Sequence, residues 1–160
     1  MERLWAPWRM AYIEGAPTAG CFLCVGEDAG ADEARLLLAR ARRTLVMLNR
    51  FPYNSGHLLV APLRHTGALE GLAEEEAAEL IVTLQRATDR LQQALHPDGF
   101  NIGLNLGKAA GAGLEEHLHF HIVPRWNGDT NFMPVLGEAK VVPEYLVATY
   151  RKLRPFFDRL

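Results

Sequence analysis

At 160 residues, 49% of them hydrophobic and 22% charged, the chain has the size and composition of one globular domain that can bury its own core. A formal net charge of -2 supplies no overall basic field, which sets nonspecific nucleic-acid binding aside. No run approaches the ~18 to 20 apolar residues that span a bilayer, and the opening MERLWAPWRMAYIEG lacks the apolar stretch and cleavage site of a secretory signal, so a soluble, cytoplasmic protein without membrane partners is expected.

In chain order, the first chemical signal is CFLC, which holds both cysteines, Cys21 and Cys24. In a reducing compartment that spacing reads as half of a metal site or a redox pair, against the plainer alternative of two unrelated thiols. Residues 34 to 49 carry two apolar runs divided by ARARR, which predicts a β-hairpin whose second strand covers Thr44 to Leu48. FPYNSG, residues 51 to 56, concentrates turn formers ahead of HLLVAP, a strand near residues 57 to 61.

From residue 73 to 95 the apolar positions Ala77, Leu80, Ile81, Leu84, Ala87, Leu91 and Leu95 recur at helical spacing. Glu74, Glu75 and Glu76 complement the positive helix N-terminus, and HPDG stops the helix. FNIGLNLG then reads as a strand entering a loop. GKAAGAG, residues 107 to 113, is small and glycine-rich, either a phosphate cradle or a flexible connection. After NGDTNFMP, a loop, residues 143 to about 154 suggest a terminal helix with Pro143 in its first turn.

Between the last two loops stands EEHLHFHIVPRW, with His117, His119 and His121 at alternating positions. Residues two apart diverge on a helix but share a face on a strand, so the pattern describes a half-buried strand with an imidazole face and Leu118, Phe120 and Ile122 behind it. Three readings compete: a three-histidine metal site, a catalytic site, or a solvated polar face, the last being costly for three imidazoles in register.

HLHFHIV, together with NRFPYNSGHLLVAPLRH, DGFNIGLNLG and the glycine-rich loop in that order, resembles the histidine triad (HIT) superfamily of nucleotide hydrolases and transferases. The flanks LWAPWRMAYI and PRWNGDTNFMPVLGE resemble its bacterial diadenosine tetraphosphate phosphorylase branch. The resemblance implies an α+β, HIT-like fold: an antiparallel sheet of about five strands, a long packed helix and a C-terminal helix. It implies one domain over residues 1 to 160, with extensions over about 1 to 33 and about 126 to 160, and usually a homodimer.

By the same resemblance His119 is the nucleophile toward phosphorus, its tautomer set by a backbone carbonyl within the triad, and His121 donates to the leaving oxygen. Asn105 and the backbone of Gly111, Ala112 and Gly113 take the phosphate, although GAGLEEH lacks the serine or glutamine that many relatives carry there. Asn49 matches the position that holds ribose hydroxyls, with a plain turn-forming role as its alternative. His57 matches the histidine that supports the triad. Trp126 is a candidate wall limiting water at the acceptor site, and otherwise packs at an interface. Lys108 and Arg125 are candidate polyphosphate contacts, or simply solvated cations.

The implied partners are a dinucleoside polyphosphate or adenine nucleotide and inorganic phosphate, giving ATP and ADP from diadenosine tetraphosphate. A dinucleotide or nucleoside phosphoramidate hydrolase, and a non-catalytic nucleotide-binding protein, are the alternatives. A structural zinc on Cys21, Cys24, His65 and His117, comparable to sites in several triad relatives, accounts for the cysteines; no organic cofactor is implied.

Overall fold

A computed structural model describes residues 20 to 26, 28 to 129 and 145 to 160. Five antiparallel strands form one sheet in the order β1-β2-β3-β5-β4: β1 (Leu37–Arg40), β2 (Thr44–Leu48), β3 (Leu58–Pro62), β4 (Gly99–Leu104) and β5 (Phe120–Arg125). The expected hairpin is β1 and β2, with Leu37 paired to Met47 and Arg40 to Leu45 across a bulge. Ahead of it stands a single helical turn, α1 (Asp32–Arg35), which takes Ala34 and Arg35 out of the hairpin expected over residues 34 to 49.

The long helix α2 (Glu74–Leu95) begins and ends where its signals lie. Ala73 has no side-chain cap to offer, but Glu76 reaches back 3.0 Å to accept the Ala73 N–H, supplying half of a capping box. Leu80, Thr83, Leu84, Ala87 and Leu91 form the buried stripe. Ala77 and Ile81, expected on that stripe, are exposed, Ile81 by 52%. Ile81 follows Leu80 by one residue, about 100° around the helix, which turns it off the stripe; Ala77 keeps the line of Leu84 and Leu91 but lies in the first turn, ahead of the first buried residue, Leu80.

The stripe packs on one face of the sheet, where Leu38, Val46, Leu48, Leu58, Val60 and Ile122 meet it. A terminal helix, α3 (Leu146–Leu153), joins this layer through Tyr150 and Leu153, with Phe157 from the 3-10 turn that follows, and the Tyr150 hydroxyl donates to the Leu37 carbonyl at 3.1 Å. Pro143, expected in its first turn, lies outside the described residues. On the other face Leu37, Leu45, Met47, Leu59 and Ala61 are covered by Leu23 from the CFLC segment. Both faces of β2 and β3 are therefore dry, and their sequences TLVML and LLVAP run apolar without alternation.

Two glycines allow the close approaches that frame the site. Gly56 turns at φ +77°, and a Cβ there would sit 2.4 Å from Leu95 Cδ1. At Gly67 a Cβ would meet the Glu115 carbonyl oxygen at 2.2 Å, because the segment before β5 crosses directly above it and is pinned there by Leu118 N–H to Thr66 O at 2.7 Å. Among the described residues no helix is long and apolar enough to cross a membrane.

Leu91 is fully buried between α2 and the sheet. Leu91→Ala should lower unfolding free energy by about 2 to 5 kcal/mol in urea titration; a loss under about 0.5 kcal/mol would contradict its place in the core.

Candidate active site

The second face of the sheet carries the chemistry. β5 begins at Phe120, so His121 lies on the strand while His117 and His119, expected on it from the sequence, occupy the segment leading into it, with a bend at His117. The register sets His121 opposite Leu59 on β3 and Gly103 on β4. Paired residues share a face, so the imidazoles stand on the side that Leu23 covers, away from α2.

Each histidine's tautomer follows from what its ring nitrogens meet. His119 Nδ1 lies 2.8 Å from the His117 carbonyl oxygen. A carbonyl only accepts, so Nδ1 carries the proton and Nε2 presents a lone pair. His119 is 7% exposed, and burial pushes it below the ordinary imidazole range, outweighing the opposing effect of the carbonyl. The ring is thus held neutral with one nitrogen able to attack.

His121 has the opposite arrangement. The Tyr53 N–H, which can only donate, points at His57 Nδ1 from 3.0 Å. His57 therefore carries its proton on Nε2 and donates it to His121 Nδ1 at 2.9 Å. That leaves the His121 proton on Nε2, a hydrogen-bond donor next to the His119 lone pair, with the two rings 5.0 Å apart between centroids. Tyr53 stacks over His121 at 5.9 Å and 12°. Facing a phosphoryl group, this pair can offer one nucleophile and one donor.

Asn49 directly follows β2, beside His57: its Nδ2 stands 3.4 Å from His57 Nδ1 and its Oδ1 accepts the Phe51 N–H at 3.0 Å. The turn-forming role is thus present and does not remove Asn49 from the histidines. Asn105 follows the last β4–β5 pair, Leu104 with Phe120, which sets it next in line beside His119. In the glycine-rich loop Gly107 and Gly111 take positive φ around a short turn at Lys108–Ala110, and the amides of Gly111 and Ala112 donate back to Lys108 and Gly107; Gly113 is exposed.

Trp126 is not brought to this group. It follows β5 at the end away from His119, about 16 Å along the strand from His121. Lys108 pairs with Glu115 at 3.7 Å, and Arg125 is engaged by Asp129 at 2.6 Å and Asn101 at 2.7 Å. Sequence reasoning missed Tyr53, Asn54 and Asp129. The turn chemistry of PYNSG flagged the segment, but no local signal ties Asn54 to a carboxylate 75 residues away.

His117 faces elsewhere. Its Nε2–H donates to the Pro62 carbonyl at 2.8 Å, so Nδ1 holds the lone pair, directed at Cys21 Sγ (3.3 Å) and Cys24 Sγ (3.6 Å). His65 Nδ1 reaches Cys24 Sγ at 3.2 Å, and the four candidate ligand atoms lie within 4.8 Å of one another. Ligand atoms around a tetrahedral ion bonded at about 2.0 to 2.3 Å stand roughly 3.3 to 3.8 Å apart, so this set can hold a metal ion. The three-histidine metal site does not form, because His117 turns to the cysteines and His119 Nδ1 is committed to a carbonyl.

The HIT domain family matches residues 33 to 128. An AP-4-A phosphorylase of Mycobacterium tuberculosis is 42% identical over 163 residues, covering 96% of this chain and 83% of that protein. Among solved structures, a hypothetical histidine triad nucleotide-binding protein from Sulfolobus tokodaii superposes with a TM-score of 0.67 at 25% identity, covering 88% of this chain and 93% of that one. A zinc-bound histidine triad family protein from Mycobacterium smegmatis gives 0.63 at 26% identity, with 95% and 92% covered.

Long-range ¹⁵N–¹H correlation spectra at neutral pH should show His119 as the Nδ1–H tautomer and His121 as the Nε2–H tautomer. The reverse assignment for either ring would remove the nucleophile and donor pair.

Proposed function

Because the chain belongs to the HIT domain family, we propose that it is a nucleotidyltransferase that cleaves diadenosine tetraphosphate with inorganic phosphate, giving ATP and ADP through a covalent intermediate on His119. The observation that carries this reading is the opposed pair of tautomers, a lone pair on His119 Nε2 beside an N–H on His121. The 42% identical M. tuberculosis AP-4-A phosphorylase supports the choice of substrate and acceptor.

In the first step His119 Nε2 attacks the α-phosphorus, a P–N bond forms, and the P–O bond to the leaving triphosphate breaks. ATP departs as an anion whose oxygen accepts the His121 hydrogen bond as charge develops on it. The Nδ1–H bond to the His117 carbonyl strengthens as the His119 ring becomes cationic, stabilising the adenylyl-histidine. In the second step a phosphate oxygen attacks the same phosphorus from the vacated side, ADP forms, and His119 regains its lone pair. Asn105 and the loop of Gly111, Ala112 and Gly113 contact the phosphates, and Asn49 at the end of β2 takes the ribose. His57 holds His121. The acceptor is selected by positioning an anion in line with phosphorus while limiting water. Trp126 does not line this site from its own chain.

Zinc is the ion that the two thiol, two imidazole donor set suits, and it supplies folding energy in a closed four-ligand site. Cys21, Cys24, His65 and His117 would hold it, tying the CFLC segment to the approach of β5. The zinc-bound M. smegmatis relative supports this. The chain is taken as one domain with terminal extensions, in the cytoplasm, and as a homodimer; among the described residues β4 is an outer strand of the sheet, with Ile102 48% accessible, which gives the domain reason to cover that edge.

Supplied with diadenosine tetraphosphate, the protein should yield ATP and ADP only when phosphate is present, and His119→Ala should lower kcat by about 10³-fold or more while still binding nucleotide. ATP and AMP in equal amounts with and without phosphate would make it a hydrolase, and near-normal turnover by the variant would remove His119 from its role. Metal analysis of untagged protein should find one zinc per chain, lost in Cys24→Ser; two free thiols and no metal in the unsubstituted protein would refute the zinc site.

A further inference from the structure

Where the 51 to 56 turn meets the end of β5, a polar cluster joins three elements. Asn54 is 7% exposed, and its Nδ2 donates twice: to the Pro124 carbonyl at 2.9 Å and to Asp129 Oδ2 at 2.7 Å. The Asp129 carboxylate also accepts from Arg125 Nε at 2.6 Å, Arg125 Nη2 at 2.9 Å and the Trp126 N–H at 3.2 Å. Arg125 Nη1 donates in turn to Asn101 Oδ1 on β4 at 2.7 Å. Bidentate pairing with Arg125 holds the Asp129 carboxyl well below the usual carboxylate range, so the acceptor is fully charged at neutral pH.

This cluster bears on the active site because of what Asn54 sits between. Its neighbour Tyr53 supplies the N–H on His57 Nδ1, and its own carbonyl accepts the His57 N–H at 3.1 Å. The turn therefore grips His57 at both backbone and ring, and Asn54 bolts that turn to β5, the strand bearing His121. We propose that Asn54 and Asp129 are positioning residues that latch this turn to β5, keep the Tyr53 N–H on His57 Nδ1, and thereby fix the His121 proton on Nε2, where it faces the leaving oxygen.

The chemical logic is that a neutral imidazole has two tautomers of similar energy in water, and only a fixed donor on one nitrogen selects between them. If the Tyr53 amide drifts from His57 Nδ1, His57 can place its proton there and turn Nε2 into an acceptor. His121 then donates from Nδ1, and its Nε2 presents a lone pair to an anionic oxygen, which repels it. The Asn54 side chain is spent on Pro124 and Asp129 and acts on His121 through two intervening groups, where a misplacement of about 1 Å can cost about 10²-fold in rate.

The proposal rests on the nucleotidyl-transfer reading for its catalytic consequence and not for its structural one, so two readouts are taken on Asn54→Ala and on Asp129→Asn, the latter preserving shape. In ¹⁵N–¹H correlation spectra both variants should lose the single Nε2–H tautomer at His57 and His121 and show a mixture, while His119 stays Nδ1–H. With diadenosine tetraphosphate and phosphate, kcat should fall about tenfold to a hundredfold with KM changed less than about threefold. A single unchanged tautomer at His121 in folded Asn54→Ala and Asp129→Asn would overturn the latch, and so would an altered tautomer with kcat unaffected. Absence of turnover in the unsubstituted protein would count against the nucleotidyl-transfer reading, while the spectra would still decide the latch.

Discussion

The carbonyl oxygen of His117 is the acceptor on which the candidate active site depends. It receives the His119 Nδ1–H at 2.8 Å, and this one bond decides which nitrogen of His119 can attack. A carbonyl cannot reverse its role as a second imidazole or a hydroxyl can, so the tautomer is set by the backbone itself. Burial adds to the effect by disfavouring the charged ring. The peptide that offers this oxygen is anchored in turn, because the His117 ring binds the Pro62 carbonyl on one side and faces Cys21 and Cys24 on the other.

One residue thus links two sites of different chemistry. The His117 side chain belongs to the cluster that joins the CFLC segment to His65, and its carbonyl sets the tautomer of His119. Ordering the cluster orders the approach to β5. The crossing above Gly67 and the Leu118 to Thr66 bond restrict the same approach from below. His121, one residue into β5, receives its orientation from the strand register and from His57. The two rings are therefore held by independent supports, a backbone carbonyl for one and a turn amide acting through His57 for the other, and their opposed tautomers follow from that difference.

The sheet explains why the supports stay in place. α2 and α3 dry one face of β2 and β3, and Leu23 with its neighbours dries the other, so the central strands have apolar packing on both sides. The histidines sit at the border of the second layer. There His119 is buried enough to be neutral, while Asn49, His57 and the glycine-rich loop bring polar groups to its rim. Position along β5 separates the histidines from Arg125 and Asp129, which at the other end of the strand pair with each other and with Asn101 and Asn54.

What the sequence determined by itself is what short-range periodicity and turn chemistry control. The three-four spacing of Leu80, Leu84, Ala87 and Leu91 makes a helix with one dry stripe, and the apolar runs at Thr44 and Leu58 make buried strands; of the i, i+2, i+4 histidines expected on one strand, His121 alone lies within β5. Resemblance to a known family added the roles of His119 and His121 and the grouping of Cys21, Cys24, His65 and His117, and the structure brings each of these sets together. Only the tertiary structure decided that Ile81 falls outside the stripe, that β5 begins after His119, that Trp126 lies away from the histidines, and that Asn54 meets Asp129. The physical reason is range: periodicity fixes which way a side chain points from its own element, whereas the partner it meets depends on strand register and layer packing between segments many residues apart, which no local pattern encodes.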